Sequence, residues 1–358
     1  SSAYSLTADV DPSMKNMMEK LKEFQMIFAE RIERPAAKKF TSTKANQKKS
    51  LENRGKLAMH DKVDQHMKNL LDASRLHEWQ NYLKFDAVKV IGKSKAMEMI
   101  SHGAEVLPTQ WIEVDKNEAL RASGKAMEPK MKSRLAARGD ISALFNRSDS
   151  PTADREAVFL VISFATSRKL KIRSGDLDHG CFQGEKLSRP LLLRQPKGGL
   201  PDDSIKLDDM MLALVPLYGT RDAGRGLWRR IRKVLLSIGM KGSFVYGALY
   251  SYRVNGVFMI LMATHVDDVI WANEPEFETI VQEMQRVVQF GALEECSFRF
   301  CGVEMKQDLQ TFAVTIICSS TSEKLKQARL SKERSHQLDD TLNDAEREQF
   351  QSMVGSLM

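Results

Sequence analysis

The sequence predicts an α+β fold, and two observations carry that expectation. Stretches rich in Val, Ile, Met, Phe and Trp flank a short acidic turn at residues 257–272, the pattern of a β-hairpin. Amphipathic stretches with helical spacing are interspersed with such runs, most clearly in GLWRRIRKVLLSIG at 226–239.

Taken in order, residues 11–30 predict a helix that opens at an Asp-Pro cap and carries a Met stripe suited to packing. Residues 31–56 are basic and short of large apolar side chains, which predicts a flexible linker, solvated or touching nucleic acid. Residues 70–90 read as an amphipathic helix with Trp79, Leu83 and Val90 turned inward. Residues 106–114 alternate like a strand, 154–167 read as a helix, and 170–177 as a short strand bearing Asp176. The 226–239 helix puts Leu227, Trp228, Ile231, Val234, Leu235 and Ile238 on one face and Arg229, Arg230, Arg232 and Lys233 largely on the other. Gly239 is a fitting stop. Beyond the hairpin, 276–290 predicts a helix, 298–305 a strand, and the chain after Thr321 is helical and charged.

The hairpin holds the most informative pair of residues. Four Asp-Asp pairs occur, and those at 202/203, 208/209 and 339/340 lie in polar surroundings where water solvates both charges. Asp267 and Asp268 are flanked by strand formers instead. Neighbouring like charges repel, and partial burial adds to the cost unless a cation compensates. A divalent metal is one compensator; a solvated turn is the alternative. Asp176 supplies a second acidic site, and carboxylates from separate strands meeting at one point are what two-metal phosphoryl transfer needs. Asp178 lies on the same face only if its strand runs that far.

With 358 residues and 42% hydrophobic residues, the chain can bury a sizeable core, and no apolar run approaches the roughly 20 residues of a membrane span. A net charge of +7 and a pI near 9.1 favour a polyanionic partner. Cys181, Cys296, Cys301 and Cys318 show no CxxC spacing, so reduced thiols in an intracellular compartment are expected and a zinc site is not. His179 and Cys181 flank the Asp176 turn without completing a metal site. The chain starts SSAYSL without Met or a signal-like core, which reads as an excerpt from a longer polyprotein.

Eight blocks then fall in a telling order: KSRLAARG (132–139), DSPTADR (149–155), SGDLDHGCFQG (174–184), LLLRQPKGGLP (191–201), LYGTRDAGRGLW (217–228), THVDD (264–268), FRFCGVEM (298–305) and VGSLM (354–358). Together they resemble the reverse transcriptase of copia-type LTR retrotransposons, from about Trp79 to the last residue. The resemblance implies a right-hand polymerase with palm and fingers in residues 71–305. A helical, basic and partly flexible segment at 1–70 would precede them, and a truncated, partial thumb at 306–358 would follow. It implies Asp176 as the first palm aspartate and Asp267 and Asp268 as the pair of the YVDD box, catalytic and metal-binding, holding two Mg2+ ions or Mn2+. Arg134 and Lys132 would grip the triphosphate, since a guanidinium fork binds phosphate oxygens in pairs. Cys181 and Asp222 would line the nucleotide site, and Phe300, Cys301 and Gly302 would position the primer end, Gly302 by allowing close backbone approach.

Departures from the family pattern accompany these matches. His265 stands where an aromatic precedes the VDD, and Cys181 where a Phe or Tyr ring would exclude a ribose hydroxyl. Gly180 replaces a small residue, Asp222 a common Gln and Gly224 a proline, while Gly226 reads as an added residue. No RNase H carboxylate set is found.

The function implied is RNA-directed DNA polymerase, the nucleotidyltransferase of a transposable element's Pol polyprotein. Its expected partners are an RNA template, a DNA primer and deoxynucleoside triphosphates, with no membrane partner. The expected location is intracellular, in a cytoplasmic particle or the nucleus; oligomeric state is left open. A catalytically inactive remnant that binds nucleic acid is the alternative, and another palm-type metal enzyme such as a nucleotide cyclase is a third.

Overall fold

A computed structural model describes residues 63–118, 121, 124, 126–143, 148–317, 334 and 341–357. The expected helix at 11–30, the linker at 31–56, Cys318 and most of the charged stretch after Thr321 lie outside them.

The described elements are mixed α and β, with six α-helices and three sheets among them. In chain order they are α1 (Gln65–Lys84), β1 (Val88–Ile91), α2 (Lys93–Ser101), β2 (Glu105–Asp115), β3 (Met131–Ala137), α3 (Arg155–Arg168) and β4 (Arg173–Leu177). A 3-10 turn at Gly180–Gln183 leads to β5 (Leu191–Arg194), β6 (Met210–Ala213), α4 (Ala223–Ser237) and β7 (Lys241–Gly242). Then come β8 (Leu249–Val254), β9 (Val257–His265), β10 (Asp268–Asn273), α5 (Glu278–Val287), β11 (Phe290–Glu295), β12 (Ser297–Phe300), β13 (Val303–Gln307), β14 (Val314–Ile317) and α6 (Asp344–Leu357). No described helix is long and apolar enough to cross a membrane.

The central sheet runs β11-β4-β10-β9-β8-β7, antiparallel throughout. Its central strands are buried on both faces. Ile270, Ala272, Ala263 and Leu261 pack under α3 with Phe298, Phe300 and Met305 of the small β12-β13-β14 sheet. Val269, Trp271, Met262 and Ile260 face α4 and α5 through Leu227, Ile231, Val234, Val281 and Met284. Double burial explains why β9 and β10 read as apolar runs rather than as alternation.

The second sheet runs β1-β6-β5-β2-β3, with β2 and β5 parallel. β2 pairs with β5 up to Pro108 and with β3 from Thr109 onward, so the residue without an N–H stands where the partner changes. β3 is an edge strand, and α1 covers it. Ser74 Oγ accepts from the Ser133 N–H at 2.8 Å, and the Tyr82 hydroxyl donates to the Leu135 carbonyl. Free strand-edge groups are thereby satisfied by side chains two helical turns apart.

Several expected boundaries are corrected. The first helix ends at Lys84, and Asp86, at φ 49°, turns the chain so that Val90 lies in β1; Leu83 is exposed. α1 also starts at Gln65, earlier than the expected 70. Trp228 lies half-buried at the surface, 5.7 and 5.9 Å from the Arg225 and Arg232 guanidiniums, because a flat ring accepts two cations better than a packed core does. Phe290 belongs to β11, where its ring crosses Gly175. Residues 298–305 form two strands rather than one, because Cys301 and Gly302 (φ 48° and 85°) turn the chain back.

Candidate active site

Strand register assembles the acidic group. Asp268 is the first residue of β10, directly opposite Asp176 on β4 and His265 on β9. Directly opposed residues of an antiparallel pair project to one face, so Asp176 and Asp268 emerge side by side. Only Val266 and Asp267 connect β9 to β10, and the Asp267 carbonyl accepts from the Leu177 N–H at 2.8 Å. A Cβ added at Gly180 would lie 3.0 Å from the Asp267 Cβ. The bare glycine thus makes room for the acidic turn. Val266 has φ 58°, a conformation β-branched residues rarely adopt.

The electrostatics of the group follow from that crowding. Burial, then Asp267 and Asp176, push the Asp268 carboxyl up to about 6, with His265 opposing. Burial and Asp267 raise Asp176 as well, while Lys132 and Arg134 pull it back. Asp178 is engaged elsewhere, 2.5 Å from His179 Nδ1 and 3.6 Å from Lys84 Nζ. Hard carboxylate oxygens with surplus negative charge are the right donors for a divalent cation such as Mg2+. Among the described residues, no group of three or more His, Cys, Asp or Glu side chains is arranged to hold a metal ion as it stands. Mg2+ usually takes only one or two carboxylates and fills its shell with water and substrate phosphates, so the donor set still fits.

The basic side of the site is built by two glycines. The Ala137 N–H donates to the Tyr218 carbonyl at 2.7 Å, and the Gly139 N–H to the Gly219 carbonyl at 3.2 Å. A Cβ on Gly219 would fall 2.1 Å from the Ala137 oxygen, and one on Gly139 2.2 Å from the Gly219 oxygen. The 132–139 and 217–228 blocks therefore touch backbone to backbone, which brings the Tyr218 ring 5.1 Å beneath the Arg134 guanidinium. Lys132 is held below its usual range by burial and by Arg134 and Lys116. Cys181 is pushed up to about 11 by burial and then by Asp267, with Arg134 opposing, so it stands within electrostatic reach of both.

The remaining candidates divide. Phe300 is buried and meets the His265 ring edge-on at 6.4 Å, and Cys301 is raised by burial and by Asp268, so the β12–β13 turn lies beside the acids. Buried Gln307 anchors that hairpin by accepting from the Ile172 N–H and donating to the Leu170 carbonyl, each at 2.9 Å. Nothing lies within 4 Å of a Cβ built on Gly302, so its φ of 85° accounts for the glycine without any close approach within the chain. Asp222 instead begins α4 and pairs with Arg189 at 2.8 Å, lining a cavity of about 230 Å³ with Arg225 and Arg229. Gly226 is closely packed, since a Cβ there would meet Pro216 at 2.7 Å. Gly224 lies against Ser150, whose hydroxyl donates to the Gly224 carbonyl at 3.0 Å.

Tyr218 and Glu78 were not singled out from sequence. Tyr218 sits within the 217–228 block, where its position beside Gly219 was the available signal. Glu78 carried only an indirect one, a polar residue between Ser74 and Tyr82 on the helix face bounded by Trp79.

The candidate site is thus an acidic hairpin with the basic residues of β3 within electrostatic reach. Residues 96–335, about two thirds of the chain, match the family model of reverse transcriptase (RNA-dependent DNA polymerase). The chain belongs to that family, which is typical of copia-type elements. No curated protein matches it. Among solved structures, the chain is similar to the foamy viral protease-reverse transcriptase dRH in complex with double-stranded DNA (11% identity, 64% of this chain and 34% of that one, TM-score 0.33). Another is apo telomerase from Candida tropicalis truncated from its C-terminal domain (10% identity, 46% and 40% covered, TM-score 0.30). The chain spans about a third to two fifths of the length of these solved chains.

Proposed function

We propose that this reverse transcriptase domain is the RNA-directed DNA polymerase of a copia-type element, adding deoxynucleotides to a primer 3′ hydroxyl on an RNA template. The observation that carries the reading is the register of β4 and β10, which sets Asp176 opposite Asp268 with Asp267 in the adjoining turn. In this reading the central sheet with its helices is the palm, the β1-β6-β5-β2-β3 sheet belongs to the fingers, and residues 306–358 are a partial thumb.

Asp176, Asp267 and Asp268 would hold two Mg2+ ions, or Mn2+. Bound there, the ions would lower the barrier to attack by the primer hydroxyl and neutralise charge on the triphosphate. Arg134, steadied over Tyr218, takes the outer phosphate oxygens as a fork, and Lys132 adds a point charge. Cys181 occupies the place beneath the sugar, where its small side chain leaves room for a 2′ hydroxyl. Phe300, Cys301 and Gly302 steady the primer end next to Asp268. The exposed Arg229, with Arg230, Arg232 and Lys233, offers phosphate contacts along α4. An intracellular particle or the nucleus is the compartment that suits these partners.

Primer extension on an RNA template with Mg2+ tests the reading. Synthesis by the parent chain and its loss in Asp267→Asn support it. Ribonucleotide incorporation should exceed that of a Cys181→Phe variant. A second reading is a catalytically inactive, nucleic-acid-binding remnant, and an inactive parent that still binds primer–template would select it.

A further inference from the structure

The cavity between α1 and the β2–β3 hairpin, about 470 Å³, holds a carboxylate that no step above uses. Glu78 is 4% exposed, and its Oε1 is buried without a hydrogen-bond partner. Its position is fixed by the α1 contacts that cap β3. Ser74 bonds at Ser133 and Tyr82 bonds at Leu135, and residue 78 lies midway between them on the same helix face. Glu78 must therefore sit against the stretch of β3 that contains Arg134. Lys132 lines the same cavity.

We propose that Glu78 is a positioning residue for Lys132 and Arg134, and that its carboxyl group takes up a proton from solvent when those two side chains engage a triphosphate. The proposal rests on the assignment of Lys132 and Arg134 to the triphosphate. While the two cations are free, their charge favours the Glu78 carboxylate against the cost of burial. A triphosphate seated on them cancels that positive potential, and burial then favours the neutral acid. The proton returns to solvent when the phosphates leave. Burial already pushes Glu78 up to about 7, so the exchange falls in the neutral range.

The groups facing Glu78 bear on the same balance. From the loop after β4, His179 Nε2 stands 3.9 Å from Glu78 Oε2, and its other nitrogen is engaged by Asp178, which also pairs with Lys84. From α1 itself come the exposed His77 and the buried Tyr82, from the loop before α4 Tyr218, and from the cavity rim Lys116 and Lys130. A Glu78→Gln change keeps all of these side chains, so the comparison removes the Glu78 charge alone.

The test is calorimetric binding of dATP with Mg2+ to the full chain between pH 6.5 and 8.5, each point in two buffers of different ionisation enthalpy. Near pH 7.5 the parent should take up as much as about one proton more per triphosphate than Glu78→Gln. Its affinity should fall about tenfold more than the variant's across the range. Glu78→Asp, which keeps a titratable group, should restore part of the dependence. Arg134→Ala should lose binding at every pH. Equal proton uptake and parallel affinity curves for the parent and Glu78→Gln overturn the role of Glu78 while leaving the nucleotide site standing. A parent that binds no dATP overturns both. If Glu78→Gln does not fold, a pH-independent affinity of the parent between 7 and 8.5 is sufficient to reject the proposal.

Discussion

Two hairpins meet at the acidic site, and they solve the same geometric problem with different residues. The β12–β13 turn uses Cys301 and Gly302, both at positive φ, with the glycine where a side chain is costly. The β9–β10 turn also reverses in two residues but puts Val266, with φ 58°, at a position that favours glycine. The first carries no charge and puts no β-branched residue at positive φ. The other combines backbone strain with two crowded carboxylates, and sites that concentrate such costs are held in shape by their surroundings. Here those surroundings are the doubly buried strands β9 and β10, the Leu177–Asp267 hydrogen bond and the space left by Gly180.

The largest break in this comparison should come from Asp267→Asn. Primer extension should fall by about a thousandfold or more with the melting temperature maintained, whereas Cys301→Ser should leave most of the activity. Loss of folding in Asp267→Asn would mean that the acid serves structure.

Next in size is the pH dependence of stability. The folded state raises the Asp268 carboxyl from 3.8 to about 6, so it binds that proton more tightly than the unfolded chain does. The associated stability is full below about pH 4 and is lost as pH rises through 6. In metal-free buffer, Asp268→Asn should therefore be more stable than the parent at pH 7.5 by about 1–2 kcal/mol after allowance for solvent screening, with no advantage at pH 4. Thermal melts at the two pH values check this, and equal differences at both would remove Asp268 from the account.

Gly302→Ala should cost about 1–2 kcal/mol from φ alone, because no atom of the chain obstructs the new methyl group. A melt that drops by a few degrees fits. Smallest should be Val266→Gly, in which relief of strain is offset by the entropy of glycine, for a net change within about 1 kcal/mol. Its primer-extension rate should nonetheless decline as the turn loosens, and an unchanged rate would show that the strain has no bearing on the acids.

Much of this contrast was legible in the chain. The acidic hairpin stood out because both flanking strands are buried on two faces and so form unbroken apolar runs. From local pattern, without the family resemblance, Asp176 was legible as a strand-end acid. Its pairing with Asp268 depends on register between strands some 90 residues apart, which local spacing does not encode. The β12–β13 turn was hidden because Cys-Gly lacks the Asn or Asp that usually marks such reversals. Gly219 and Gly139 were visible as glycines, but the need for them arises from each other's backbone. Asp222 stood inside a family block, yet its partner Arg189 comes from a separate loop, so the pairing could not be read from the block.

The cover that α1 places over β3 has a consequence for the isolated domain. Ser74 and Tyr82 stand in for a neighbouring strand, and without them β3 would present open donors and acceptors to any passing chain. A fragment trimmed to the matched family region, starting at residue 96, would expose that seam. Its self-association through strand pairing would then reflect a missing lid rather than a property of the whole molecule.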